Sequence, residues 1–189
     1  MPGRLTYSAL CSLDGYIEDA DGGFGWAAPD AEVHAFVNER ERGVGTMLLG
    51  RRMYETLAVW ETMATAGEPP EIADYKRIWL GADKVVYSRT LAEPTTTQTR
   101  IEPEFDPEAV RALKAGTGRE LSIGGAELAG AAFAAGLIDE VALLVSPVVV
   151  GGGKPALPSG LCLNLELEEE RRFAAGAVFL RYAVGASSA

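Results

Sequence analysis

The sequence predicts an α/β fold with three layers, in which a mixed, mainly parallel twisted sheet carries helices on both faces and has an antiparallel C-terminal edge. Between residues 46 and 145, short apolar strands alternate with helical segments, which is the pattern of β-α-β units in a parallel sheet. Beyond residue 160, two strand-like segments follow each other without a helix between them, which favours antiparallel pairing. The 189 residues suffice for one buried core, so we expect a single domain over residues 1–189.

The N-terminal part of the chain is predicted to contain a strand, a loop and a helix, in that order. Residues 4–11 carry apolar side chains at every second position, which is typical of a strand. Residues 12–26 are rich in glycine and aspartate and form a loop that is long enough to cover a site. Asp30 follows Pro29 and can cap the next helix, which Gly43 ends.

The remaining elements follow from apolar patterning and from the placement of glycine and proline. Strands are predicted over residues 46–49, 84–88, 97–101, 120–123, 141–145, 161–167 and 177–184. Helices are predicted over residues 51–58, 71–80 and 126–135, and over the segment that Asp106-Pro107 opens and Gly116 or Gly118 closes. Residues 147–160 contain several glycines and prolines and are predicted to be a long loop.

Composition restricts the partners and the cellular setting of the protein. Seventeen Lys+Arg oppose 27 Asp+Glu and give a net charge of -10, so we expect neither nucleic acid nor a membrane surface as a partner. Two cysteines and one histidine are too few for a disulfide framework or a multi-histidine site, so we expect no metal. Residues 1–8 lack the pattern of a secretory leader, and the apolar run 141–150 is half of a membrane span, which predicts a cytoplasmic protein.

Three turns in the sequence share one design, in which a short apolar strand ends in small or basic residues. The turns contain Gly50-Arg51-Arg52, Ser88-Arg89 and Gly124-Gly125-Ala126. The carboxyl ends of parallel strands lie at one edge of a sheet, where glycine lets an anion reach backbone N–H groups. The arginines and the serine are suited to phosphates, so the turns together predict an extended phosphate-bearing ligand. A free ribose 2′-phosphate on that ligand would favour NADPH over NADH.

Each of these features also has an ordinary structural interpretation. A glycine pair after a strand is commonly a tight turn, and an arginine at a helix start is commonly solvated. Glu127 can point into the cleft, but an acid in the first turn of a helix also simply complements the helix dipole. The chain contains neither G-x-G-x-x-G nor G-x-x-x-x-G-K-[ST], which argues against a Rossmann dinucleotide-binding domain and a P-loop ATPase.

Five motifs together span nearly the whole chain. They are SLDGYI at 12–17, LLGRRMYET at 48–56, VYSRTL at 86–91, IGGAEL at 123–128, and LIDEV at 137–141 followed by Pro147 and GGG at 151–153. In this order, the motifs resemble the dihydrofolate reductase-like superfamily. Within it, the chain is similar to stand-alone relatives of the C-terminal reductase domain of the bifunctional riboflavin-biosynthesis deaminase/reductase.

The resemblance implies an NADPH-dependent reductase and assigns roles to the motif residues. The cofactor's phosphates and adenosine ribose would be bound by Gly50, Arg51, Arg52, Ser88, Arg89, Gly124, Gly125, Ala126 and Glu127. The segment after the first strand would border the nicotinamide and the substrate. It would contribute Ser12, Gly15 and Ile17 to substrate binding and Asp14 to catalysis.

The resemblance also points to an acid at the start of the first helix. Dihydrofolate reductases carry a substrate-binding acid near the start of the helix that follows a Trp and a Pro, and here Trp26 and Pro29 precede Asp30 and Glu32. Asp30 is therefore the second candidate for supplying a proton after hydride transfer. Each of these acids also has a purely structural explanation. Asp14 can form a turn, Asp30 can cap the helix, and Glu32 can complement the helix dipole.

The sequence thus predicts an NADPH-dependent reductase that transfers hydride to a small pyrimidine or pterin-type substrate, resembling 5-amino-6-(5-phosphoribosylamino)uracil reductase. The zinc signature of the deaminase half, H-x-E with P-C-x-x-C, is absent. The alternatives are a dihydrofolate reductase proper and a non-catalytic nucleotide-binding protein on the same fold. Because relatives tend to pair, we also expect a homodimer, with residues 141–150 and the final strands as its face.

Overall fold

Strands and helices alternate over residues 2–185, which are the residues described by the structure, a computed structural model. Residue 1 and residues 186–189, which the predicted domain includes, lie outside the described residues. In chain order, the elements are β1 (Leu5–Ser12), β2 (Tyr16–Glu18), a 3-10 turn (Gly25–Ala27), α1 (Ala31–Glu41), β3 (Val44–Gly50), α2 (Arg51–Leu57), α3 (Val59–Thr62), α4 (Pro70–Gly81), β4 (Asp83–Tyr87), β5 (Thr99–Glu102), α5 (Pro107–Gly116), β6 (Glu120–Gly124), α6 (Ala126–Ala134), β7 (Glu140–Ser146), β8 (Lys154–Pro155), β9 (Leu165–Arg172) and β10 (Val178–Val184).

Eight of these strands form one sheet in the order β5-β4-β3-β6-β1-β7-β10-β9. All neighbours from β5 to β7 are parallel, whereas β10 pairs antiparallel with both β7 and β9. The mixed, mainly parallel sheet with an antiparallel C-terminal edge is therefore confirmed. The register places Gly50 opposite Tyr87 and Leu49 opposite Gly124, so the carboxyl ends of β3, β4 and β6 are level.

The alternation of side chains along β1 separates two apolar layers. Leu5 and Tyr7 point toward the face that α5 and α6 cover, where they share a cluster with Phe133. On the opposite face, α1 covers β7 and β10 through Phe36. Trp79 of α4 packs there in a second cluster, against β3 and β4. Helices therefore lie on both faces of the sheet, as the sequence predicts.

Two aspartates cap helices where the sequence predicts that they do. Asp30 Oδ1 accepts a hydrogen bond of 2.9 Å from Val33 N, and Asp106 Oδ1 accepts one of 2.9 Å from Glu108 N. Pro107 is the first residue of α5, a position where its missing N–H costs nothing. These caps satisfy N–H groups that the helix itself leaves unpaired.

Two predicted loops contain a pair of short strands, so the prediction of unbroken loops is wrong. β2 lies within residues 12–26, β8 lies within residues 147–160, and the two strands pair antiparallel. With three and two residues, these strands are too short to show a period of two in the sequence. The predicted helix 51–58 is confirmed as α2, which ends one residue earlier at Leu57, and the short helix α3 that begins at Val59 is not part of the prediction.

The penultimate strand is shifted from its predicted bounds. Residues 161–167 have leucine at every second position, which is typical of a strand. Residues 161–164 are nevertheless outside the sheet, and the side chains of Leu161 and Leu163 pack against the cluster beneath α6. β9 covers residues 165–172 and is the outermost strand, mostly exposed and charged. An edge strand exposed in this way needs no apolar alternation, and beyond Leu167 the sequence carries no such signal.

The apolar run 141–150 does not offer a free surface along its strand. β7 lies between β1 and β10, and Val141, Ala142 and Leu144 are buried. The expectation that this run forms a dimer face is therefore wrong for β7, and the sheet edge on this side is β9. None of the helices within residues 2–185 combines the length and the apolar composition that crossing a membrane requires.

Replacement of a core leucine tests the packing of the central sheet. Leu48 in β3 is fully buried, so Leu48→Ala leaves a cavity and is expected to lower the free energy of unfolding by about 2–5 kcal/mol. Leu13 is 67% exposed, and the matched Leu13→Ala change is expected to cost less than about 0.5 kcal/mol. Urea unfolding of both variants measures the difference. Equal losses would contradict the placement of β3 in the core.

Candidate functional site

Two glycine turns face each other at the carboxyl ends of β3 and β6. A Cβ built on Gly125 would lie 3.8 Å from the backbone N of Gly50, and one on Gly50 would lie 3.9 Å from the carbonyl O of Gly124. Gly125 has φ of 100°, which residues with a side chain rarely adopt. The two backbones therefore approach without intervening side chains, and this leaves a cradle suited to a ligand that binds main-chain N–H groups.

Three arginines flank this glycine cradle. Arg51, Arg52 and Arg89 are exposed and follow the ends of β3 and β4. Arg51 Nη1 donates to Thr90 Oγ1 at 3.3 Å, which links the turn after β3 to the turn after β4. In a chain with a net charge of -10, such a local group of cations is what an anionic ligand requires.

Ser88 holds the shape of the turn that carries Arg89. Its hydroxyl is buried and accepts hydrogen bonds from the backbone N–H groups of Thr90 (3.2 Å) and Leu91 (3.0 Å). The serine oxygen therefore fixes the turn, and only its own hydrogen remains to be donated to a ligand.

The segment after β1 is fastened to the glycine-rich loop that contains residues 150–153. The carboxylate of Asp14 accepts hydrogen bonds from Val150 N (3.2 Å) and Gly151 N (2.7 Å). The Ser12 hydroxyl accepts from Tyr16 N at 3.0 Å. Hydrogen bonds from the Ser12 hydroxyl and from the two loop amides lower the pKa of Asp14. The carboxylate is thus held ionised and acts as a clasp between the two loops.

Further contacts fix the chain from Pro147 to Pro158, which we call the strap. Ala156 N donates to Gly15 O at 2.8 Å, and the buried Tyr7 hydroxyl donates to Ala156 O. A Cβ on Gly153 would lie 2.0 Å from Glu18 O, so only glycine fits beside β2. The strap therefore lies against the segment that contains Ser12, Gly15 and Ile17.

An ion pair joins the strap to the start of α6. Lys154 Nζ lies 3.0 Å from Glu127 Oε1. The hydrogen bond and charge of Lys154, together with the charge of Arg52, lower the pKa of Glu127. Sequence reasoning missed Lys154 because nothing in the residues around it indicates that it reaches a helix 27 residues earlier in the chain.

The acids at the start of α1 both have structural partners. Asp30 is the N-cap described above, so the capping interpretation of this residue is confirmed. Glu32 accepts a hydrogen bond of 3.1 Å from Ala174 N and pairs with Arg171 at 3.2 Å. The structure thus ties both acids to the scaffold, and a proton-donating role for Asp30 stays a prediction.

The predicted site residues other than Asp30 lie at or just after the carboxyl ends of β1, β3, β4 and β6. β1 lies beside β6, so the segment from Ser12 to Ile17 leaves the sheet next to the glycine cradle. The arginines lie on the other side of the cradle, beyond β3 and β4. We call this region the cleft, with the glycine turns and the arginines at one end and the clasped loops at the other. An elongated ligand with an anionic part matches this shape and charge.

A comparison with known protein families identifies the group to which this chain belongs. A family model described as the RibD C-terminal domain matches residues 4–179. The chain belongs to this family. The uncharacterized protein YyaP of Bacillus subtilis (strain 168) is 30% identical over 186 residues, which cover 95% of this chain and 94% of YyaP. The resemblance found in the sequence motifs is thereby confirmed.

Solved structures of similar fold include reductase-like proteins. A pyrimidine reductase-like protein from Corynebacterium diphtheriae superposes with a TM-score of 0.68 at 14% identity, over 98% of this chain and 93% of that one. RibD of Acinetobacter baumannii superposes with a TM-score of 0.68 at 15% identity. The match covers 97% of this chain and 58% of the RibD chain. Dihydrofolate reductase from Enterococcus faecalis, complexed with NADP(H), superposes with a TM-score of 0.67 at 13% identity. The match covers 98% of this chain and 99% of the reductase chain. These structural similarities show that this chain has the fold shared by RibD and dihydrofolate reductase.

Removal of the Asp14 carboxylate tests the clasp. Asp14→Ala deletes the acceptor for two loop amides, so the N–H groups of Val150 and Gly151 are expected to exchange with solvent deuterium severalfold faster. Asp14→Asn keeps one carbonyl acceptor and is expected to show a smaller increase. Hydrogen exchange read by NMR reports both amides. Unchanged protection in the alanine variant would show that the strap does not depend on Asp14.

Proposed function

We propose that this protein is an NADPH-dependent reductase that transfers hydride to a small pyrimidine or pterin-type substrate, in the manner of 5-amino-6-(5-phosphoribosylamino)uracil reductase. The observation that carries the proposal is the glycine cradle with its flanking arginines, found at the strand ends of a chain that belongs to the RibD C-terminal domain family. A related fold in the dihydrofolate reductase of Enterococcus faecalis is complexed with NADP(H), which supports the same cofactor here.

The cradle fits the phosphates of NADPH. Gly50, Gly124 and Gly125 have no side chains that would cover their main-chain N–H groups, and a Cβ on Gly124 would lie 3.0 Å from Met53 Cγ, so a side chain there would disturb the turn. Ala126 and Glu127 begin α6 directly after these glycines. We propose that this turn binds the pyrophosphate and that the arginines bind the ribose 2′-phosphate.

The chain's own residues would orient the reactants and exclude water. NADPH, when bound, supplies the hydride. Ser12, Gly15 and Ile17 would border the substrate, and the strap clasped by Asp14 would keep this end of the cleft closed. Because the pKa of Asp14 is lowered, this carboxyl group is a poor proton donor at neutral pH, and its proposed role is to hold the loops. Asp30 is then the acid to test as the proton source.

The proposed assembly is a homodimer in the cytoplasm with no nucleic-acid partner. Because β7 is interior, the strand available for pairing on that side is β9. Its sequence is LELEEERR, so two copies paired antiparallel in full register would place Glu166 of one copy opposite Arg171 of the other, whereas Glu168 and Glu169 would face each other.

Cofactor preference tests the phosphate assignment. In thermal unfolding, NADPH is expected to stabilise the wild type more than NADH does, and a ligand at about 100 times its Kd adds about 2.7 kcal/mol. Arg51→Ala and Arg89→Ala are each expected to reduce the NADPH-to-NADH affinity ratio by about tenfold, because each removes a charge-assisted contact.

Arg111→Ala is the matched control for these variants. Arg111 is an equally exposed arginine on α5, where it pairs with Glu108 and donates to Ala135 O, away from the strand ends. Its replacement should leave the affinity ratio unchanged. An unaltered ratio in the Arg51 and Arg89 variants would show that the arginines do not hold the 2′-phosphate.

A pair of substitutions separates the two possible roles of Asp30. Asparagine caps helices as well as aspartate does, so Asp30→Asn should keep the stability of α1, whereas Asp30→Ala should lose about 1 kcal/mol. If Asp30 supplies the proton, kcat of the asparagine variant falls by about 100-fold or more. The assay follows NADPH oxidation with the aminouracil substrate and with dihydrofolate. An unchanged kcat would restrict Asp30 to capping.

A further inference from the structure

Two exposed apolar side chains lie where the chain leaves β1 and β7. The two strands end level, with Ser12 opposite Ser146, and Leu13 N donates to Val148 O at 2.7 Å. The segments that follow the strands therefore run side by side. Leu13 is 67% exposed and Val149 is 65% exposed. A planar ring that covered these side chains would remove apolar surface from water.

The loop that follows β1 carries negative charge only. Residues 12–26 contain no lysine or arginine but four acids, which are Asp14, Glu18, Asp19 and Asp21. The exposed arginines of the cleft follow β3 and β4, on the other side of β6, and the proposed function assigns them to the cofactor. An anionic group beside the loop would therefore meet repulsion without a local compensating charge.

The strap contains one cation, and that cation is already paired. Lys154 is the only lysine or arginine in residues 147–158. Its Nζ lies 3.0 Å from Glu127 Oε1, and its side chain is only 23% exposed. The ion pair thus offsets the charge that Lys154 would otherwise offer to a ligand.

Two main-chain donors of the strap are occupied as well. Gly151, Gly152 and Gly153 all have positive φ, and successive N–H groups in such turns are a common anion site. Here the carboxylate of Asp14 accepts from Val150 N at 3.2 Å and from Gly151 N at 2.7 Å. A negative charge of the protein itself therefore uses the donors that a substrate phosphate would need.

We propose that the substrate of this protein carries no phosphate group and is an unphosphorylated pyrimidine or pterin whose ring contacts Leu13 and Val149. This inference rests on the proposed reductase function and narrows its substrate class. A phosphate monoester brings a charge of about -1.5 to -2 at neutral pH and strong acceptor oxygens. The loop would repel that charge, whereas an uncharged sugar or side chain on the ring meets no such repulsion.

Two compounds that differ only in the phosphate test the inference. 5-Amino-6-(5-phosphoribosylamino)uracil and its dephosphorylated form are compared as substrates by NADPH oxidation, and their reduced products are compared as ligands by calorimetry. The wild type is expected to favour the unphosphorylated compound at least about tenfold in kcat/KM and in Kd. Raising the ionic strength from about 0.01 M to about 0.15 M should weaken this preference, because salt screens the repulsion. A preference based on shape alone would not depend on salt.

Release of Lys154 from its partner locates the effect. Glu127→Gln removes the carboxylate that neutralises Lys154, so the preference is expected to fall severalfold at saturating NADPH. Each preference compares two compounds on one protein, so an altered cofactor affinity cancels. Glu127 is 86% exposed, and its replacement should not disturb folding. Glu108→Gln, which releases Arg111 on α5, is the matched control and should keep the preference.

The two readouts separate this inference from the proposed function. If calorimetry shows the expected preference but neither compound supports NADPH oxidation, the reductase proposal fails and the ligand preference of the cleft stands. Equal or better binding or turnover of the phosphorylated compound, or no binding of either product, would overturn the inference. A preference that is insensitive to salt, or one that Glu127→Gln leaves unchanged, would overturn it too.

Discussion

The parallel register of the central strands is the constraint on which the rest of the structure depends. Leu49 of β3 lies opposite Gly124 of β6, and Gly50 lies opposite Tyr87 of β4, so three strands end at the same level. This register brings together turns that are about 35 to 75 residues apart in the sequence. A shift by one residue in any strand would turn its side chains to the other face and separate the turns. The candidate site is therefore a consequence of the sheet.

The two sides of the cleft are formed by different kinds of groups. On the cradle side, Gly125 has a positive φ that favours glycine, and exposed arginines offset the net charge of -10. On the other side, Asp14 is tied to the strap, and Lys154 ties the strap to Glu127 at the start of α6. The strap thus contacts both the segment beside the proposed substrate and the helix that begins at the cradle.

The sequence predicts most of the strands and the position of the three turns at one end of the sheet. It does not predict the contacts between the two loops beside them. Apolar patterning locates the buried strands, and local rules locate the caps at Asp30 and Asp106, because both signals lie within a few residues. The β2–β8 pairing and the Lys154–Glu127 ion pair join residues far apart in the chain. Only the tertiary fold brings such groups together, so no local pattern can predict them.

Different charged groups lie at the two ends of the central strands. At the carboxyl ends, backbone N–H groups and exposed arginines create a region that favours anions. Toward the amino ends, Glu41 and Glu120 face a cavity whose arginines are already paired. The groups that favour anions therefore lie at the carboxyl ends, where the register of β3, β4 and β6 brings the three turns together.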